Sequence, residues 1–395
     1  MKTELRIGFL PLTDCAVLLA AQERGFFEKY DLQVELQREV SWANIRDRVA
    51  FGELDAAHML APMPLAATLG IDGLGIPMQT AMSLGLNGSA ITLSKTLMQA
   101  IREQFPEHLQ SSPLRAIGLK ALQTSQLRRK LVFGCVYPFS QHHYLLRAWL
   151  QDGGLRISED VTIQVIPPSH MVQALEAGQI DGFCAGEPWN QIAVQQGIGW
   201  VAATSYDLMH NGPEKVLGIT QAWAEANPDT HLALISALLE AAIWLDDNSN
   251  RLLFAETLAL PHYLDVPIMS LCAPLQGFYR YALHEPERYV PDFHVFARYA
   301  ANVPWHTHGE YFLTCMQEAG QLHQSLEQAR AVLGQVYRVD LYRQAAKDLG
   351  LAYPLSDSLP TGEYAAPWVL ENASQAIAMG SSQVLLDHIK KPITK

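Results

Sequence analysis

Apolar and polar positions along the first sixty residues alternate between two periods. LRIGFL (5–10) is a short apolar run and LQVEL (32–36) alternates, so both read as strands. DCAVLLAAQERGFFEKY (14–30) is helical, with Asp14 as the predicted N-cap and Gly25 near its end. SWANIRDRVAFG (41–52) is a second helix, capped by Ser41 and stopped by Gly52. ELDAAHML (53–60) is a third strand.

The same order returns later in the chain. LVFGCV (131–136), VTIQVI (161–166) and QIDGFCAGEPW (179–189) read as strands. Between them lie the helical SQHHYLLRAWLQDGG (140–154) and SHMVQALEAG (169–178), the latter capped by Ser169 and stopped by Gly178. GELDAAHMLAP (52–62) aligns with GQIDGFCAGEP (178–188), matching Gly52 to Gly178 and Asp55 to Asp181. Two β-α-β-α-β units predict two α/β lobes, each with a mostly parallel sheet flanked by helices. Residues 93–130 read as helical and linking. Beyond 220 the chain is mainly helical, with periodic runs at 228–246, 310–333 and 339–349 that are expected to pack on the first lobe. The division expected is 1–90 with 208–395 as lobe 1, and 91–207 as lobe 2, the crossings lying near LNGSAITL (86–93) and PEKVLGIT (213–220).

In sheets of this kind a ligand sits beyond the carboxyl ends of the strands, beside helix N-termini. Residues 11–14, 41–42, 139–142 and 169–170 fall there, two stretches from each lobe. Lys215 opens an apolar strand at a crossing and is expected to face the cleft, where it would contribute little to the core. Trp42 is either a packing tryptophan or an indole wall with an N–H donor. His142 is either a surface residue or a cleft residue at a helix tip, where an anion is favoured. His58 is expected as a satisfied core histidine and His170 as a first-turn polar residue. Glu187 is either solvated or salt-bridged across the lobes. An indole, an imidazole, an ammonium, and the hydroxyl and amide groups of LNGS form a set of donors suited to a small monoanion.

Composition narrows the options. The 395 residues carry a net charge of −12, which argues against binding nucleic acid directly through a basic face. Five cysteines without CxxC spacing predict reduced thiols, with neither disulfide framework nor zinc site. No metal-binding, nucleotide-binding or nucleophile-elbow motif is present. The longest apolar stretch (232–245) is too short to span a bilayer. MKTELRIGFLPL has no apolar leader ahead of its first strand, so a cytoplasmic protein without membrane association is expected.

Taken together, GFLPLTDCAVLLAAQERGFF, SWANIRDRVAFGELDAAHMLAPMP, LNGSAITL, GGLRISEDVTIQVIPPSHMVQALEAGQIDGFCAGEPWN and NGPEKVLGIT resemble the nitrate- and bicarbonate-binding proteins of ABC uptake systems. The likeness runs from residue 5 to about 350. It implies the two-lobed type II periplasmic-binding-protein fold. It also implies nitrate or nitrite as ligand, held by Trp42, His142 and Lys215, with Ser89 where the family carries glutamine. Thr13, Asp14, Asn87, Gly88, Gln141 and Glu187 would line the cleft. Bicarbonate binders carry an acidic residue in place of the lysine and use calcium, so Lys215 argues against both, and no cofactor or metal is implied. The absence of leader and lipid anchor points to the cytoplasmic NasS-type sensor branch. There the ligand-free protein sequesters an RNA-binding antiterminator of the ANTAR class (NasT-type) and nitrate or nitrite releases it. Two other readings stand beside it: the substrate-binding component of an ABC nitrate/nitrite transporter, and a thiamin-pyrimidine synthase, whose cysteine cluster GFCAGEPW lacks.

Overall fold

The computed structural model describes residues 2–109, 113–127, 129–360 and 364–386. The strands of its two larger sheets are, in chain order, β1 (Glu4–Phe9), β2 (Gln33–Arg38), β3 (Ala56–Leu60), β4 (Met78–Gln79), β5 (Ser83–Asn87), β6 (Ser89–Ser94), β7 (Leu131–Cys135), β8 (Val161–Val165), β9 (Gly182–Gly186), β10 (Gly199–Thr204) and β11 (Pro213–Thr220), joined by the short strand His294–Val295. They form two mixed sheets. One runs His294–Val295, β5, β11, β3, β1, β2, with β4 also paired to β11; the other runs β10, β6, β9, β7, β8.

The sequence repeat is a structural repeat. β1 lies parallel to β2 and β3, and β7 parallel to β8 and β9. The aligned aspartates do the same work in each. Asp55 accepts from the Arg6 amide (2.9 Å) and Asp181 from the Val132 amide (2.8 Å). Each aspartate's own amide returns a bond to the carbonyl of that residue, 2.8 and 2.7 Å. A carboxylate at the start of the third strand thereby satisfies an amide that the first strand leaves without a ladder partner.

Helix signals fare unevenly. Ser41 caps Trp42–Ala50 through the Asn44 amide (3.2 Å), and Ser140 caps Gln141–Asp152 through the His143 amide (3.0 Å). Asp14 is not an N-cap: it lies inside a 3-10 turn (Thr13–Cys15), and its carboxylate is drawn to a buried lysine instead. Ser169 caps nothing either, because Met171–Glu176 begins after a 3-10 turn, Pro168–His170, and has no side-chain cap. The run 310–333 is interrupted: His306–Glu318 ends two residues before Gly320 (φ 70°), and a short helix follows at Leu326–Arg330.

The chain crosses between sheets twice, and the crossings are tied together. Asn87 (φ 62°) and Gly88 (φ 88°) turn β5 into β6. A Cβ on Gly88 would lie 2.6 Å from the His294 ring, so only glycine fits this left-handed position. The Asn87 amide donates to the Gly212 carbonyl (3.0 Å), and the Gly212 amide donates back to the Asn87 Oδ1 (3.0 Å).

The expectation that 208–395 packs on the first lobe requires correction. Tyr279, Tyr281, Val290 and Phe293 pack against Ala90, Val194 and Val201, residues of the second sheet and its helix. The Val201 amide donates to the Tyr281 carbonyl (2.8 Å). Phe312 meets Tyr144 of the second lobe, ring centroids 6.3 Å apart. Near its C-terminus the chain returns to the second crossing. The His210 amide donates to the Gln383 carbonyl (2.9 Å), the Leu385 amide to the Leu208 carbonyl (3.0 Å), and Val384 and Leu386 are buried. Long aromatic segments therefore straddle both lobes, covering apolar surface that neither could bury alone. The parts of the sequence reading that fall on 110–112, 128, 361–363 and 387–395 lie outside the described residues. Among the described residues no helix is long and apolar enough to cross a membrane.

Candidate functional site

Lys215 sits on the central strand β11, paired with Leu60 of β3 and Gly85 of β5, and is 1% exposed. A bare ammonium at such a depth is costly and must be paired. It is paired twice: Nζ donates to Asp14 Oδ2 (2.7 Å) and to Glu214 Oε1 (2.7 Å). Consecutive residues of a regular strand face opposite sides. Here the register of β11 against β5 shifts between Pro213 and Lys215 and again between Lys215 and Val216. That bulge lets Glu214 and Lys215 share one pocket.

Around this centre stand the residues expected from the sequence. Trp42, at the first turn of its helix, lies with its ring centroid 5.6 Å from Lys215 Nζ. His142, in the first turn of Gln141–Asp152, places Nε2 3.1 Å from Glu214 Oε1. Ser89 opens β6, buried, with its hydroxyl beside Glu214. Trp42 Nε1, Ser89 Oγ and His142 Nδ1 are buried without hydrogen-bond partners among the described residues. Residues of both sheets and their helices thus gather around the Lys215–Glu214 pair.

Other predicted residues are placed differently. Thr13 is buried, its amide bonded to the Glu187 carbonyl (2.8 Å) across the lobes. Asn87 staples the crossings, donating to the Asp292 carbonyl (2.7 Å) and to Asn211 Oδ1 (3.2 Å), and Gly88 shapes the turn. Gln141 is buried, with Nε2 directed to Met209 Sδ at 3.6 Å. Glu187 is neither solvated nor salt-bridged: its carboxylate accepts from the Tyr279 hydroxyl and from the Gln191 amide (3.1 Å). His58 is more than a satisfied core residue. Nε2 lies 3.0 Å from Asp14 Oδ1, and its ring meets Trp42 edge-on at 5.3 Å. His170 is exposed.

The donor-only picture is the largest correction. Asp14 and Glu214 are acceptors already engaged with Lys215, and Glu214 was absent from the residues read as cleft-lining. A signal existed in principle: Glu-Lys at 214–215 places opposite charges side by side in an otherwise apolar strand.

Protonation follows from burial and neighbours. Burial alone would raise Asp14, but Lys215 and His58 hold its carboxyl well below the usual range. Burial, assisted by Asp14, pushes Glu214 up to about 7 against the pull of Lys215. Glu187 is likewise pushed up to about 7 by burial. Burial holds His142 well below its ordinary value and lowers His58. Burial also lowers His143 and His231 to about 4, and His294 and His308 to about 3. An unfolded histidine takes up a proton near pH 6.5 that these folded ones refuse. Their contribution is present above that pH and is lost as pH falls towards 4. The two raised glutamates act in the opposite sense below 7 but are outnumbered. Thermal melts should therefore show a lower Tm at pH 5 than at pH 7; an equal or higher Tm at pH 5 would show that these rings are solvated.

The NMT1-like family model matches residues 1–259. The chain belongs to that family. Among its relatives is the nitrate/nitrite binding protein NrtA of Nostoc sp. (strain PCC 7120), 32% identical over 358 residues, covering 89% of this chain and 78% of that one. Another is the nitrate import ATP-binding protein NrtC of Synechocystis sp. (strain PCC 6803), 39% identical over 359 residues, covering 88% of this chain but 51% of that one. The chain thus spans about half the length of the ATP-binding relatives it matches. The crystal structure of the periplasmic nitrate-binding protein NrtA from Synechocystis PCC 6803 superposes with a TM-score of 0.84 at 30% identity, covering 90% of this chain and 92% of that one. The fold is the α/β periplasmic-binding-protein fold, and the NrtA relatives are nitrate- or nitrate/nitrite-binding proteins.

Proposed function

We propose that the chain binds nitrate or nitrite between its two sheets and serves in the cytoplasm as a sensor that sequesters an ANTAR-type RNA-binding antiterminator and releases it on binding the anion. The observation that carries the anion reading is the buried Lys215 ammonium 5.6 Å from the Trp42 ring, with His142 and Ser89 beside its partner Glu214, and with Trp42 Nε1, Ser89 Oγ and His142 Nδ1 left without hydrogen-bond partners among the described residues. The likeness to the nitrate/nitrite binding proteins NrtA supports the same ligand class. Calorimetry with nitrate, nitrite, bicarbonate and sulfate tests it: heat is expected from the first two only. Preference for bicarbonate or sulfate overturns the reading.

Ser89 stands where the resemblance implies glutamine. Ser89→Gln introduces a longer donor beside Glu214 and is expected to tighten nitrate binding or to shift its preference over nitrite by several-fold. Affinities unchanged for both anions would remove Ser89 from the ligand's contacts.

Support for the sensor role lies in linkage and charge. A protein of net charge −12 suits an RNA-binding partner better than RNA itself. If the antiterminator prefers an open form, nitrate and partner weaken each other by the same factor. The two proteins should co-elute without nitrate and separate with it; a complex persisting at saturating nitrate and nitrite rejects the sensor. The likeness to NrtA and NrtC favours a second reading, the binding component of an ABC nitrate/nitrite importer. Fractionation of cells carrying the native gene separates the two.

A further inference from the structure

Glu214 occupies a singular position. It is 2% exposed, its Oε1 touches both Lys215 Nζ (2.7 Å) and His142 Nε2 (3.1 Å), and its Oε2 has no partner. Titratable or polar groups reach it from several elements. Lys215 lies on its own strand, Asp14 on the 3-10 turn, His142 on the helix 141–152, Ser89 on β6 and Cys184 on β9. His58 and His294 stand further back, beside Asp14.

The charges decide what this arrangement can hold. Asp14 is ionised and cancels Lys215. His58 and His142 are kept neutral by burial. With Glu214 ionised the pocket carries one net negative charge before any ligand arrives, and a monoanion would make two. Closely spaced like charges in a volume shielded from water are strongly unfavourable. With Glu214 protonated, Lys215 keeps Asp14 as its only charged partner and turns a donor to the anion. The carboxyl then supplies an O–H to His142 Nε2 or to the anion itself.

Resting on the anion-binding reading above, we propose that Glu214 takes up one proton as the anion binds, so that the ligand is captured as anion plus proton. The proton comes from solvent and resides on the Glu214 carboxyl; no covalent bond of the anion changes. In the free protein Glu214 titrates at about 7, which places the effect in an accessible range. The competent, protonated fraction falls from about nine-tenths at pH 6 to about one-tenth at pH 8, so the apparent Kd for nitrate rises about tenfold across that interval.

The test is nitrate calorimetry on the full chain at pH 6, 7 and 8, each in two buffers of different ionisation enthalpy. The dependence of the observed heat on buffer enthalpy gives the protons taken up per anion. We expect about half a proton at pH 7 and close to one at pH 8. Glu214→Gln, a neutral isostere of the protonated side chain, should flatten the pH profile, take up no proton, and bind nitrate about tenfold tighter than the parent at pH 8. A parent that binds nitrate with no proton uptake and a Kd constant within twofold from pH 6 to 8 overturns this inference and leaves anion binding standing. Proton uptake that survives in Glu214→Gln assigns the proton to His142 and also overturns it. No binding of nitrate or nitrite at any of the three pH values overturns the anion-binding reading together with this one. Should Glu214→Gln fail to fold, the two-buffer series on the parent decides alone.

Discussion

Lys215→Ala is expected to cost the protein both its anion and much of its stability. The ammonium is a buried partner of Asp14 and Glu214. Removing it leaves two buried carboxylates without their cation, a change that typically destabilises by about 3–5 kcal/mol. On the proposed anion-binding reading, nitrate loses a cationic contact in the same step, for which about 2–5 kcal/mol, or roughly 30- to 5000-fold in affinity, is the usual range. The sequence reading treated this lysine as nearly irrelevant to the core, which its burial contradicts. The stability loss should also depend on pH. Glu214 gains a proton as pH falls through about 7, and a protonated carboxyl misses its cation less, so the difference between variant and parent should shrink from pH 8 to pH 5.5. Denaturant unfolding at the two pH values, with nitrate calorimetry on the same preparations, checks each part. A variant within ~0.5 kcal/mol of the parent in both unfolding and binding would show that the ammonium lies elsewhere.

Truncation after Met379 is expected to lower the unfolding free energy by about 3–6 kcal/mol, the value of fully burying Val384 and Leu386. This is an upper figure, because the denatured chain already covers part of that surface. The same cut removes the strand-like pairing at the second crossing, where Met209 faces Val384 and residues 208 and 210 bond to 385 and 383. It also removes Ser381, whose hydroxyl contacts His210 Nδ1 (2.7 Å) and whose carbonyl accepts from Asn211 (2.9 Å). A crossing freed of this strap should let the lobes separate more readily. Small-angle scattering should report a larger radius of gyration for the truncated protein without nitrate, and a greater compaction on adding it. A truncated protein with parental stability and scattering would show that the tail rests on the hinge without restraining it.

Much was legible in the residues alone because the signals are local and periodic. The duplicated unit, its strands and helices, the Ser41 cap and the paired Asp55 and Asp181 all follow from spacing over fewer than about sixty residues. Ser89, Trp42, His142 and Lys215 could be named because a resemblance carries positions even where it carries no geometry. What the sequence could not express is the pairing of charges far apart in the chain. Asp14 reads as a helix cap until Lys215, 201 positions later, is brought to 2.7 Å from it. Glu214 shares a pocket with its neighbour Lys215 only because a bulge breaks the alternation of the strand. The segments around 280 and 384 read as additions to one lobe until the two sheets stand close enough for one apolar segment to cover both. Periodicity records which face of an element is buried; which buried charges neutralise one another depends on distances that only the closed tertiary structure creates, since desolvation is what makes an unpaired charge intolerable there.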